Sequence, residues 1–219
     1  MLDTVEMTSG ANPTGAVIWL HGLGADGHDF EPIVPDLVRR DERALRFVFP
    51  HAPVRPVTIN GGYPMRAWYD IVALDRAAAE DAVGMRASAD AVTALVRREG
   101  ERGIAPERIV VAGFSQGGAL ALYSGTRFAE RLAGVVGLSC YLPLASRLGA
   151  ERSAANAATS VFLAHGTQDP VVSFRFGENT RATLEAAGYP VEWHSYPIPH
   201  SVSPQEIADL GAWLRRVIP

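Results

Sequence analysis

The chain has 219 residues, 47% of them hydrophobic and 20% charged, with a formal net charge of −4. The length suits one α/β domain with a sizeable core over residues 1–219, and the acidic balance without an Arg-rich block argues against nucleic acid as a partner. Cys140 is the only cysteine, so no internal disulfide or cysteine metal cluster can form. No apolar run approaches the roughly 20 residues of a membrane span, and Met1–Glu6 lacks signal-peptide character, so a cytoplasmic protein is expected.

Ala16-Val17-Ile18-Trp19-Leu20 is a continuous apolar run, the pattern of a strand buried on both faces. It leads into a glycine-rich loop, His21-Gly22-Leu23-Gly24-Ala25-Asp26-Gly27. Phe30, Ile33, Val34, Leu37 and Val38 have helical spacing within 30–40, although Pro35 makes the start irregular. A strand over Arg46–Phe49 follows. Residues 50–78 then form a long connection whose prolines and glycines forbid a long regular element, while Ile59, Tyr63, Trp68, Tyr69 and Ile71 argue for order. Among these, Trp68 reads as structural. Glu80 to Glu99 predicts an amphipathic helix with Val83, Ala87, Ala91, Ala94 and Leu95 facing inward.

The most informative stretch is Ile109-Val110-Val111-Ala112-Gly113-Phe114-Ser115-Gln116-Gly117-Gly118, followed by Ala119-Leu120-Ala121-Leu122. A buried strand runs into G-x-S-x-G and then a helix, the setting of a nucleophile elbow. Gly113 and Gly117 remove side chains that would collide across so sharp a turn, and Gly118 lets helix and strand approach. Beyond it lie a strand at Gly134–Ser139, a connector over 140–159 too short for a cap domain, a strand ending at His165-Gly166, and a helix over Ser173–Ala187. A strand at Val191–Tyr196 and a helix opened by Ser203-Pro204-Gln205-Glu206 complete the chain. Alternating strands and helices predict a mostly parallel sheet covered on both faces, with functional residues at the carboxyl ends of the strands.

A serine hydroxyl needs a base, and the base needs an orienting acid. In the order Ser, acid, His, the histidine after the last strand is His200 and the acid after the preceding strand is Asp169. His165 is the rival base, but no plausible later acid follows it on the same edge. His194 lies within a strand, while His28 and His51 read as exposed loop residues. Asp26 and Asp70 precede Ser115 and read as structural, and Cys140 as a small buried hydrophobe. The oxyanion hole requires two N–H donors, assigned to Gln116 and Leu23. The loop carrying Leu23 lacks the third glycine of a dinucleotide fingerprint and any phosphate-binding lysine, so no cofactor is expected.

Together, Leu20-His21-Gly22-Leu23-Gly24-Ala25-Asp26, Arg55–Tyr63, Trp68-Tyr69-Asp70-Ile71, the Gly113–Gly118 elbow, His165-Gly166 with Asp169, and His200 with Pro204-Gln205-Glu206-Ile207 resemble the acyl-protein thioesterase / phospholipase-carboxylesterase family, most of all its small bacterial carboxylesterases. The resemblance covers almost the whole chain and implies an α/β-hydrolase fold without a cap. It implies a metal-free serine hydrolase of small acyl esters or thioesters, and a homodimer, since family members often dimerise. It also implies an acyl groove lined by Leu23, Ile59, Ile71, Leu74 and Val171. Pro199 stands where the family usually has glycine before the histidine. With no cap, the expected site is shallow and open, favouring short-to-medium carboxylic esters. The alternatives are a thioesterase or lysophospholipase for long chains, an acyl transferase to a non-water acceptor, and a catalytically silent binding protein of the same fold.

Overall fold

Apolar runs such as Gly15–Leu20 and Gly134–Leu138 expose no polar edge, so they are stable only when both faces are covered. In the computed structural model, which describes residues 2–38, 43–73 and 80–218, they lie side by side in one sheet. The elements in order are β1 (Thr4–Thr8), β2 (Gly15–Leu20), α1 (Val34–Leu37), β3 (Leu45–Pro50), β4 (Val54–Val57), β5 (Tyr63–Arg66) and α2 (Ala82–Glu101). Then come β6 (Ile109–Phe114), α3 (Gln116–Arg127), β7 (Gly134–Leu138), α4 (Leu148–Glu151), β8 (Ser160–Gly166), α5 (Phe174–Ala186), β9 (Val191–Tyr196) and α6 (Pro204–Val217). The strand order is β1-β3-β2-β6-β7-β8-β9, and every neighbouring pair is parallel except β1 with β3.

Side chains alternate across each strand and divide the core into two layers. Ile18, Leu20 and Val111 pack on one face with Val92 and Leu95 of α2, Leu120 of α3 and Leu184 of α5. Val17, Trp19, Val110 and Phe162 pack on the other with Leu37 of α1 and Trp213 of α6. Among the described residues, no helix is long and apolar enough to cross a membrane.

Several expectations are corrected. The helix expected over 30–40 shrinks to a 3-10 turn at Glu31–Ile33 and the single turn α1, because Pro32 and Pro35 remove backbone donors; residues 39 and 40 lie outside the described ones. β1 was absent from the prediction: its Thr-Val-Glu-Met-Thr alternation is that of a half-exposed edge strand. The 50–78 connection contains the β4–β5 hairpin, closed by a 3-10 turn at Thr58–Asn60. In α2 the buried face is Met85, Ser88, Val92, Leu95, Val96 and Glu99, whereas Val83 is 75% exposed and Ala87 is exposed. The alanines suggested the wrong face because a methyl group commits a helix position weakly to either side. The α6 capping box forms as expected: Ser203 Oγ accepts from the Glu206 amide at 3.1 Å, and the Glu206 carboxyl accepts from the Ser203 amide.

Candidate active site

The turn from β6 to α3 places Ser115 above the carboxyl edge of the sheet. Its φ of 53° and ψ of −120° lie where a non-glycine residue is strained. The surrounding backbone enforces this conformation. A Cβ on Gly113 would stand 2.3 Å from the Gly117 carbonyl, and one on Gly117 would stand 2.1 Å from the Leu20 carbonyl oxygen. Neither obstacle is a flexible side-chain end. Gly117→Ala is therefore expected to cost at least about 1–3 kcal/mol, as overpacking typically does. A thermal melt checks this: Tm should fall by several degrees, with fluorophosphonate labelling reduced.

His200 follows β9 and faces Ser115, with its Nε2 2.9 Å from Ser115 Oγ and its Nδ1 2.7 Å from Asp169 Oδ2. Asp169 Oδ1 accepts from the Val171 and Val172 amides, each at 2.8 Å. With both carboxylate oxygens engaged, the Asp169 side chain is fully buried. A carboxylate at Nδ1 selects the tautomer with its proton there, leaving the Nε2 lone pair for the serine hydroxyl. The Phe114 ring lies 4.7 Å from the His200 ring, centroid to centroid, and limits its rotation.

Pro199 leaves this geometry intact. The Ile198 carbonyl accepts from the Gln168 amide and the Pro199 carbonyl from the Ser201 amide, so the loop is anchored through groups proline retains. His165 lies behind Asp169: its Nε2 donates to the Val172 carbonyl at 2.8 Å and is 3.5 Å from Asp169 Oδ2. Burial depresses its basicity, and it has no contact with Ser115. Cys140 is buried under α3, and burial pushes its thiol pKa up, as suits a small hydrophobe.

Gln116 is the first residue of α3, so its N–H has no acceptor within the helix. Its side chain accepts from the Trp68 amide at 2.9 Å and donates to the Tyr69 carbonyl at 2.8 Å. The Trp68 indole donates to the His21 carbonyl at 2.9 Å. Trp68–Tyr69 thus ties the residue after Ser115 to the loop carrying Leu23. This bracing was not predicted, although a buried Trp or Gln must find a hydrogen-bond partner. Gly22 abuts the nucleophile: a Cβ there would lie 3.6 Å from Ser115 Cβ. Among the described residues, the Leu23 amide meets no acceptor.

A cavity of about 270 Å3 lies beside Tyr69 and Val172, whose backbone groups hydrogen-bond to the Gln116 side chain and to Asp169. Its walls include Tyr69, Ile71, Tyr141, Leu142, Val172 and Phe176. Of the predicted groove residues that are described, Ile71 lines it. Ile59 is 40% exposed on the hairpin turn, Val171 is 51% exposed, and Leu23 is partly buried against the core. Leu74 lies outside the described residues. The Tyr69 and Tyr141 hydroxyls are 3.0 Å apart, and burial raises both phenols, Tyr141 to about 12. They therefore present a neutral polar pair in a wall that also carries Glu80, Asp81, Asn179 and Thr180.

A strained serine at a strand–helix turn, an imidazole on its hydroxyl and a buried acid behind the imidazole, at the edge of a parallel sheet, define the α/β-hydrolase class. Residues 3–218 match the phospholipase/carboxylesterase family, and the chain belongs to it. It is 41% identical to an acyl-protein thioesterase 1 of Mycosarcoma maydis, over 98% of this chain and 96% of that one. It is 39% identical to an acyl-protein thioesterase 1 of Emericella nidulans, over 94% and 91%. The crystal structure of Zea mays acyl-protein thioesterase 2 superposes with a TM-score of 0.87 at 31% identity, covering 100% of both chains. The protein is thus a hydrolase of the esterase and thioesterase type.

Proposed function

We propose that the protein hydrolyses acyl thioesters, and oxygen esters more slowly, through an acyl-enzyme on Ser115, and that its preferred acyl chain is of medium or greater length. The observation that carries this reading is the hydrogen-bonded chain Ser115–His200–Asp169, with a cavity of mixed polar and apolar lining near it. His200 takes the Ser115 proton as Oγ attacks the acyl carbonyl, while the Leu23 and Gln116 amides receive the oxyanion. His200 then returns that proton to the leaving sulfur or oxygen. Water repeats the cycle, and Asp169 stabilises the imidazolium in both halves. No metal or cofactor enters the proposed steps.

The sequence-based preference for short-to-medium carboxylic esters gives way here to its thioesterase alternative. The relatives from Mycosarcoma maydis and Emericella nidulans carry the name acyl-protein thioesterase, and the nearby cavity offers room for an acyl chain. Tyr69 and Val172 line it and are bonded to Gln116 and Asp169, so the acyl chain is assigned to it.

Matched thioester and oxygen-ester series of increasing acyl length test the reading. Each methylene that enters the cavity should raise kcat/KM by about threefold to fourfold, from about 0.8 kcal/mol of burial, until the cavity is full. Thioesters should exceed their oxygen counterparts, because a thiolate leaves more readily. A maximum at two- to four-carbon oxygen esters would restore the general carboxylesterase reading.

A further inference from the structure

His21 directly follows β2, is 2% exposed, and packs tilted against Trp68 with ring centroids 5.1 Å apart. Both ring nitrogens are engaged. Nε2 is 3.0 Å from the Ala52 amide nitrogen, and Nδ1 is 2.7 Å from the Gly22 carbonyl oxygen. A backbone amide only donates and a carbonyl only accepts, so one proton arrangement satisfies both contacts: hydrogen on Nδ1 and a lone pair on Nε2. A doubly protonated ring would set one N–H against another. Burial agrees, lowering the pKa to about 4 and keeping the ring neutral near pH 7.

The carbonyl gripped by Nδ1 shares a peptide plane with the Leu23 N–H. In a trans peptide these two groups point in opposite directions, and the described chain has no cis bonds. Holding the Gly22 oxygen therefore sets the direction of the Leu23 N–H. The plane begins beside Ser115, because Gly22 abuts the Ser115 side chain. The flanking atoms are also pinned: the His21 carbonyl accepts from the Trp68 indole, and the Gly24 amide donates to the Arg66 carbonyl at 2.9 Å. A second donor to the Gly22 oxygen, the Ala25 amide, is longer at 3.3 Å.

We infer that His21 is a positioning residue for the hydrolytic reaction: a neutral imidazole that, through the Gly22 carbonyl, aims the Leu23 N–H at the developing oxyanion. The inference rests on the proposed role of Leu23 and extends it to a side chain that never touches substrate.

Two substitutions separate this role from simple support of the 50s loop. Asn places its amide nitrogen where Nδ1 stands, so His21→Asn keeps a donor for Gly22 and loses the acceptor for Ala52. Gln places its oxygen near Nε2, so His21→Gln does the reverse. With a soluble p-nitrophenyl ester, His21→Gln is expected to lose about 100-fold in kcat, the scale of a misplaced catalytic group, with KM little changed. His21→Asn should keep substantially more of kcat. A structural role predicts the opposite order, following the melting temperatures of the two variants. Nitrogen NMR of the wild type gives a readout independent of activity: His21 should show a protonated Nδ1 and a bare Nε2. A protonated Nε2, or equal kcat in both variants and wild type, overturns the inference. Fluorophosphonate labelling of wild type and Ser115→Ala, run alongside, shows separately whether the Ser115 reaction itself stands.

Discussion

Ser115→Ala is expected to fold as the parent does, to lose all covalent labelling by a fluorophosphonate, and to lose turnover by about a million-fold, the scale of removing a serine nucleophile elsewhere. Folding should survive because the strained turn is held by its neighbours: the Ser115 amide donates to the Leu138 carbonyl at 2.8 Å and its carbonyl accepts from the Ala119 amide at 3.0 Å. Alanine keeps both backbone bonds. Among the described residues the hydroxyl's side-chain partner is His200, which is part-exposed and can take water instead. Loss of activity without loss of Tm would therefore identify the hydroxyl as the reacting group. Persistent labelling would move the nucleophile to another residue, and Cys140 is a poor candidate because burial holds it as a thiol.

Asp169→Asn should fold and lose about 10,000-fold in kcat, as when a triad aspartate is neutralised in serine proteases. The asparagine oxygen can still accept from the Val171 and Val172 amides, the contacts Asp169 Oδ1 makes now. That orientation turns the NH2 group toward His200 Nδ1. An imidazole facing a donor must carry its proton on Nε2 instead, leaving no lone pair for the Ser115 hydroxyl. Flipping the amide would place NH2 against two backbone N–H groups and cost those bonds. Steady-state kinetics should thus show a kcat loss with little change in KM. Activity within about tenfold of wild type would remove Asp169 from the proposed mechanism.

The layout of the candidate site could be read from local pattern. Ser115 was marked by glycines whose Cβ atoms would strike backbone 2.1 to 2.3 Å away, a constraint that acts within a few residues and so leaves a sequence signature. Asp169 and His200 were found because a parallel sheet brings successive strand ends to one edge, which turns chain order into spatial order. Three features escaped this logic for distinct reasons. β1 is an edge strand exposed on one side, so its apolar signal is weak. The inward face of α2 was misassigned because its alanines fit either side. The cavity walled by Tyr141, Leu142 and Phe176 had no sequence signal, because its lining comes from segments distant in the chain.

Strand runs, the strained elbow and the order serine–acid–histidine are short-range properties, set by backbone sterics and by the two-residue period of strands, and these the amino-acid order alone specified. The hydrogen bonds of Trp68 to Gln116 and His21, the contact of His21 with Ala52, the burial of Asp169 and the walls of the cavity depend on residues 31 or more positions apart meeting in space. Hydrogen-bond partners across such separations carry no period in the chain, so only the folded arrangement decided them.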